Sequence, residues 1–286
     1  MPFLILSVLC SVLVSVQLKL AQRRGIDIPQ SIAWNYLAAA ALCLWLLDPP
    51  LPMLRDAAPW PALLALAALL PGIFLALSAS VRAAGIVRTD VAQRLSLVVS
   101  LLAAFLWFGE RAGGLKLAGL ALGLLAIVGI VARPGGLAGQ ASGGARWLLP
   151  LTVLLGYAGV DILLKHVAAA GTPFAASLQA AFCGALLIMI AVAGWRWRRG
   201  GHAPTRAAMA FGLLLGATNF GNILFYVRAH RALPENPAVV FATMNLGVVV
   251  LGTLVGVFGF DEKLSGLNKG AIALAVVAIG LIAASL

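Results

Sequence analysis

The feature that most constrains this chain is a succession of ten apolar runs separated by short polar connections. Each run has about the 20 residues that an α-helix needs to cross a hydrocarbon core about 30 Å thick. The runs show no period-two alternation, and within lipid only helices and closed barrels satisfy every backbone polar group. The sequence therefore predicts an all-α integral membrane protein with ten transmembrane helices. These lie at roughly 3–21, 31–47, 60–81, 88–108, 115–133, 147–166, 174–194, 207–227, 237–259 and 267–285.

The composition argues against a soluble protein. Hydrophobic residues make up 62% of the chain and charged residues 10%, whereas soluble domains carry about 25% charged residues. The net charge of +11 does not indicate nucleic-acid binding, because the basic residues lie between the apolar runs. The three cysteines lie inside apolar runs without CxxC spacing. Their odd number and spacing argue against a disulfide framework or a zinc site. We expect no metal site and no cofactor.

The two halves of the chain carry similar features in the same order. The fourth and ninth predicted helices end in FGER (108–111) and FDEK (260–263), and Lys19 and Lys165 occupy matching places near the ends of helices one and six. A tandem repeat with an odd number of spans must insert its two copies in opposite orientations. The sequence therefore predicts two inverted five-helix repeats, an architecture common among secondary transporters.

A stretch rich in Gly, Ala and Ser separates the halves and is typical of a linker. We predict a first repeat over 1–133, a linker over 134–146 and a second repeat over 147–286.

With these features, the chain resembles the drug/metabolite transporter superfamily in its ten-helix EamA-like branch. The resemblance rests on the ten short helices, the paired "GE(R)" and "DEK" helix ends and the two matching lysines. Proline is common early in helices four and nine of that family, whereas this chain has Ser96 in helix four and Pro237 only at the start of helix nine. The resemblance implies a carrier of a small metabolite. We expect it in the bacterial inner (plasma) membrane, as a monomer or homodimer among membrane lipids.

Polar groups at bilayer depth are costly and are therefore candidates for function. Helix six offers Tyr157, Asp161 and Lys165, four residues apart and so on one face. Asp161 is a candidate for substrate binding and for proton coupling or gating, with Lys165 beside it. Alternatively, Asp161 and Lys165 neutralise each other while Lys165 reaches the membrane surface.

Helix four opens with Asp90, Gln93 and Arg94, which we predict to bind substrate. Arg94 lies about 9 Å into the helix, and its guanidinium matches a carboxylate or phosphate bidentately. Asn245 occupies roughly the matching place in helix nine, so the two halves would offer one charged and one neutral group. The alternative is a local Asp90–Arg94 ion pair near the headgroups.

Further polar side chains lie within helices two, seven and eight. They would line the same cavity or hold helices together through interhelical hydrogen bonds. This set is Asn35, Tyr36, Gln179, Asn219, Asn222 and Tyr226. Lys19 would reach the membrane surface or act in gating. Glu110 and Glu262 each precede a helix start, where a carboxylate caps free amides.

The basic residues also bear on orientation. Loops after odd-numbered helices carry twelve Lys and Arg residues and loops after even-numbered helices carry six. The positive-inside rule then places both termini outside, whereas the family resemblance implies cytoplasmic termini.

Three functions remain in competition. A secondary active or facilitative transporter working by alternating access is favoured. An intramembrane enzyme would need a cluster such as HExxH, a DxxxD pair or a serine elbow, and none is present. A flippase component for a lipid or a lipid-linked substrate is the remaining alternative. ATP-driven pumping would need a partner, because the chain has no GxxxxGK[ST] sequence.

Overall fold

The computed structural model describes residues 2–54, 58–108, 113–131, 145–201, 203–233 and 237–285. Within these ranges the chain forms ten α-helices, which confirms the predicted number of helices but does not by itself show ten membrane spans. They are α1 (Pro2–Arg23), α2 (Ile28–Leu47), α3 (Trp60–Ala84), α4 (Ile86–Phe108), α5 (Gly114–Val131), α6 (Ala145–Ala169), α7 (Phe174–Arg198), α8 (Arg206–Ala232), α9 (Pro237–Leu254) and α10 (Gly266–Ala284). Most of the predicted linker, 134–146, lies outside the described residues.

Side-chain caps fix where three of these helices begin. The side chains of Asp27, Thr205 and Ser265 accept hydrogen bonds from backbone amides in the first turns of α2, α8 and α10. Each cap satisfies one of the amides that a helix start leaves without an intrahelical partner. The caps allow short connections, so that successive helices return across the bundle.

Judged by length and composition alone, seven helices of the described ranges are long and apolar enough to cross a membrane: α1, α2, α3, α6, α7, α8 and α10. Shorter apolar segments occur at Gly114–Ala126 and Thr243–Gly259. The end of α9 continues as one π-helical turn, Val255–Gly259.

Helices from the two halves of the chain pack between one another. α1 packs against α8 and α9, α2 against α7 and α8, α3 against α6 and α7, α4 against α6 and α9, and α5 against α10. Glycines allow the closest approach. Gly212 and Gly216 of α8 lie directly on the backbone of α2 at Ser31 and Asn35. The halves therefore share one core.

The bundle has two ends that carry different connections. We call the odd-loop end the one where α1, α3, α7 and α9 finish and α2, α4, α8 and α10 begin. Contacts such as Arg196 to Asp27, at 3.1 Å, and Glu262 to the start of α4 hold it together. The even-loop end is the opposite one, where α6 and α8 finish and α3 and α7 begin.

Candidate functional site

A polar stripe runs along α1 and organises the centre of the bundle. Its residues follow one another at four-residue intervals, which places them on one helix face. The stripe consists of Ser7, Ser11, Ser15 and Lys19. Nη2 of Arg94 donates to Oγ of Ser11 at 2.5 Å, and Oγ of Ser15 donates to Oδ1 of Asp90 at 2.6 Å. The stripe thereby ties the two charged residues of α4 to α1.

Ser11 of the stripe borders a cavity between the two halves. The cavity has a polar lobe of about 320 Å³ and a more apolar lobe of about 230 Å³, which share several lining residues. The polar lobe is lined by α4, α6, α8 and α9, through Gln93, Arg94, Ser96, Tyr157, Asp161, Asn222, Tyr226, Met244 and Asn245. The apolar lobe adds residues of α3 and α7, namely Leu70, Ile73, Phe74, Leu77, Leu178 and Phe182, together with the polar side chains of Ser11, Tyr36 and Asn219. The cavity can therefore accept a molecule that carries both polar and apolar parts.

Two charged side chains of opposite sign stand in the wall of the polar lobe. Arg94 is anchored to Ser11, and its Nε has no hydrogen-bond partner among the described residues. Oδ2 of Asp161 accepts a hydrogen bond from Oγ of Ser100 at 2.9 Å, and the Asp161 side chain is exposed. A guanidinium fixed in this way can bind a carboxylate or phosphate group of a ligand.

Hydrogen bonds join these residues to neighbouring helices. The hydrogen bonds of Asp90 and Arg94 reach α1, and that of Asp161 reaches α4. Lys165 lies half-buried near the end of α6.

Of the predicted site residues, the structure brings seven together in the polar lobe: Gln93, Arg94, Tyr157, Asp161, Asn222, Tyr226 and Asn245. Tyr36 borders the apolar lobe. Three others lie behind the wall. Asp90 is 2% exposed, Asn35 is fully buried and accepts from Nδ2 of Asn219 at 3.4 Å, and Nε2 of Gln179 donates to Sγ of Cys183 at 3.3 Å. These three support the wall rather than face the cavity.

The odd-loop end below the cavity is closed by an interaction that we call the latch: Lys19, Glu262 and the backbone amides of Ile86 and Val87. Oε1 of Glu262 accepts from Nζ of Lys19 at 2.5 Å and from the Ile86 amide at 2.6 Å. Oε2 accepts from the Val87 amide at 3.1 Å. The latch joins α1 and α4 to the segment between α9 and α10.

Local backbone geometry makes room for the latch. Gly85 has φ +92°, and a Cβ there would stand 2.6 Å from Oε2 of Glu262, so a side chain at this position would be strained and would displace the carboxylate. The Glu262 amide donates to the carbonyl of Gly256 at 3.0 Å and folds the chain back after the π-helical turn.

The role of Glu262 differs from the prediction in one respect. It caps a helix start, as expected, but the helix is α4 rather than α10, whose cap is Ser265. The equivalent Glu110 lies outside the described residues. Lys19, proposed either to snorkel or to gate, is bound in the latch and also lies 4.6 Å from the ring centroid of Phe260.

The cavity reaches the surface at the even-loop end. Its mouth is lined by Phe174, Tyr226, Val227, His230 and Arg231, three of which also line the polar lobe. α1 packs against both α3 and α4, through Gln22 to Ser78 and Ser15 to Asp90 towards the odd-loop end. In the described part of the chain, α6 packs against neither α8 nor α9. The cavity is therefore open at one end and sealed at the other.

Two parts of this site, the α1 stripe and the apolar lobe, were not predicted from the sequence. The α1 stripe was detectable, because three serines and a lysine at four-residue intervals in an apolar run form a regular pattern. The apolar lobe was not, since its residues resemble those of any buried helix face. Among the described residues, no three metal-ligating side chains come together.

Comparison with known proteins agrees with this architecture. A model of the EamA-like transporter family matches residues 1–132. A Haemophilus influenzae protein, itself described as uncharacterized, is 40% identical over 275 residues, which cover 93% of this chain and 91% of that protein. The chain belongs to the EamA-like transporter family. A solved crystal structure, 21% identical, has the same fold with a TM-score of 0.58 over 96% of this EamA-like chain and 94% of its own length. The protein is therefore a transporter-like integral membrane protein.

Proposed function

We propose that the protein is a secondary carrier that moves a small polar or amphiphilic metabolite by alternating access. The main support for this proposal is the position of Arg94, whose charged side chain lies in the wall of a cavity that is open at only one end. A buried cation in a membrane protein is costly and is found where it lines a pathway or binds a ligand.

We propose further that the two halves are inverted repeats. A rotation that exchanges α1 with α6, α2 with α7, and so on, turns one set of helix contacts into another. Under this exchange, the pair α1–α8 becomes α6–α3, α2–α8 becomes α7–α3, and α4–α6 becomes α9–α1. All three original pairs and all three resulting pairs are in contact. The pairs α2–α7, α4–α9 and α5–α10 map onto themselves and are in contact too. This regularity supports an internal two-fold axis.

The departures from this regularity support the transport cycle. The contacts α1–α3 and α1–α4 have no counterparts in α6–α8 and α6–α9 among the described residues. If the halves are inverted, the opposite state follows by exchange: α6 would close on α8 and α9, and α1 would part from α3 and α4. The latch would open in that step, and Asp161 and Lys165 would lie where the other end closes.

The lining of the cavity defines what the substrate must offer. Arg94 selects an anionic group, the amide and hydroxyl groups of Asn222, Asn245 and Tyr157 select further polar atoms, and the apolar lobe takes a hydrophobic part. The positive-inside rule makes the odd-loop end cytoplasmic, so the open cavity would face outward. A reporter fused to the C-terminus, active on one side only, tests that orientation.

The function is tested by reconstituting the purified protein into liposomes and exposing them to a mixture of small metabolites. Mass spectrometry of the liposome contents should show accumulation of one chemically related group of solutes that carry an anionic group. Arg94→Gln should abolish the accumulation, while Arg228→Gln, on the exposed face of α8, should not. Movement of a lipid probe without any solute would favour the flippase alternative and overturn the carrier.

A further inference from the structure

A second cavity lies on the outer face of the bundle, away from the central one. It is a groove of about 400 Å³ between α2 and α7, and its wall is almost entirely apolar. Its lining comprises Gln30, Ala33, Trp34, Leu37, Leu186, Ile190, Ala193, Gly194, Trp197 and Pro204. None of these residues lines either lobe of the central cavity. Leu37, Ile190 and Trp197 are 39%, 54% and 56% exposed, so the groove opens sideways, towards lipid.

The depth of the groove fits one membrane leaflet. From the odd-loop end it runs along α2 to Leu37 and along α7 to Leu186. At 1.5 Å per residue the lining segments 30–37 and 186–197 are about 10 Å and about 17 Å long. Half of a hydrocarbon core about 30 Å thick is about 15 Å. The groove therefore spans the depth at which acyl chains of one leaflet lie.

Specific hydrogen bonds build the end of the groove at the membrane surface. Nε2 of Gln30 donates to the carbonyl of Ala203 at 3.0 Å, and Oε1 of Gln30 accepts from the Thr205 amide at 3.2 Å. These two bonds hold the connection between α7 and α8 across the start of α2 and place Pro204 in the groove wall.

The surface end of the groove is strongly basic. The last turn of α7, the connection and the first residue of α8 carry Arg196, Arg198, Arg199 and Arg206. Arg196 pairs with Asp27 at 3.1 Å, whereas Arg198 and Arg206 are exposed. The start of α8 adds the positive end of a helix dipole, and Trp195 and Trp197 lie where indoles prefer the headgroup region.

We propose that this groove binds an anionic phospholipid, with one acyl chain between α2 and α7 and its phosphate at Arg198 and Arg206. An apolar slot of leaflet depth beneath a basic mouth matches a molecule with an anionic head and a hydrocarbon tail. Basic pockets between transmembrane helices recognise anionic headgroups in the same way. The site is separate from the proposed transport pathway and does not depend on it.

The test is competition between two lipids with identical oleoyl chains, phosphatidylglycerol and phosphatidylcholine, offered in equal amounts to the purified, delipidated full chain. Native mass spectrometry counts the lipids that remain bound. We expect phosphatidylglycerol to be retained in preference. The double variant Arg198→Gln/Arg206→Gln should lose that preference by about tenfold. The matched pair Arg228→Gln/Arg231→Gln, at the even-loop end, should keep it.

A third variant tests the tail. Ala193→Phe fills the groove and leaves the arginines in place, so it should lower retention of both lipids. Equal retention of the two lipids by the unaltered protein would overturn the proposal, as would an unchanged preference in the Arg198/Arg206 variant. A particle of twice the monomer mass that binds neither lipid would show that a second copy covers the groove, which also overturns it.

Discussion

Removing the charge of Glu262 should open the odd-loop end of the protein. The carboxylate accepts three hydrogen bonds in the latch, at 2.5, 2.6 and 3.1 Å. The side chains of Lys19 and Glu262 are only 16% and 11% exposed, so solvent screens the pair less than an exposed ion pair. Glu262→Gln keeps the size of the side chain and neutralises it.

The size of the effect follows from these contacts. A hydrogen bond to a charged group contributes about 1.5–3 kcal/mol and a neutral one about 0.5–1.5. Three such losses of about 1 kcal/mol each weaken the closed state by about 3 kcal/mol. Every 1.4 kcal/mol changes an equilibrium constant tenfold, so the ratio of open to closed molecules should rise about 100-fold. An open form present at about 1% would then reach roughly half of the molecules.

Double electron–electron resonance measures this shift directly. Spin labels are attached to cysteines at Arg24 and Arg82, two exposed positions at the ends of α1 and α3, in a chain whose native cysteines are replaced. The labelled protein with Glu262 intact should give one short distance between the two spin labels, and Glu262→Gln should add a longer one. Asp261→Asn, a neutralised acid at the adjacent position, should behave like the parent. An unchanged distance distribution in Glu262→Gln would refute the reasoning, because the latch would then not hold the closed state.

Three further predictions concern the cavity and the packing beneath it. Arg94→Gln should lower transport by at least about tenfold, because a charge-assisted hydrogen bond to the substrate is lost. The amount of folded protein in the membrane should stay the same; a smaller amount would indicate a structural role. If protons move through Asp161, which lines the polar lobe together with Arg94 and Tyr226, Asp161→Asn should make transport independent of pH between about pH 5 and pH 8. Equal pH profiles of variant and parent would eliminate that coupling. Gly252→Ala places a Cβ 2.6 Å from Oδ2 of Asp90 and should destabilise the protein by about 1–3 kcal/mol, seen as a lower Tm, whereas Gly270→Ala meets nothing within 4 Å and should not.

The sequence predicts the helices well because, within lipid, an apolar run of this length satisfies its backbone polar groups by forming a helix. It also singles out Arg94, Tyr157 and Asp161, which line the polar lobe, since a polar group inside such a run is costly. Neither prediction requires information about which helices are in contact.

Where prediction and structure differ, the missing information is tertiary. Asp90 shares a helix face with Arg94 but lies one turn, about 6 Å, nearer the odd-loop end, below the cavity floor. Spacing along a helix cannot reveal where a cavity ends. Similarly, the sequence places Glu262 before α10, but its capping of α4 depends on the space left by Gly85.

The most direct test of the account is the accessibility of a single cysteine in the cavity wall. Ile223, which lines both lobes, is replaced by cysteine in an otherwise cysteine-free chain, and a membrane-impermeant maleimide is applied from each side of oriented vesicles. We predict labelling only from the side of the even-loop end, and from both sides once Glu262→Gln is added. Labelling of the parent from neither side, or equally from both, would contradict a water-filled cavity that opens to one side at a time.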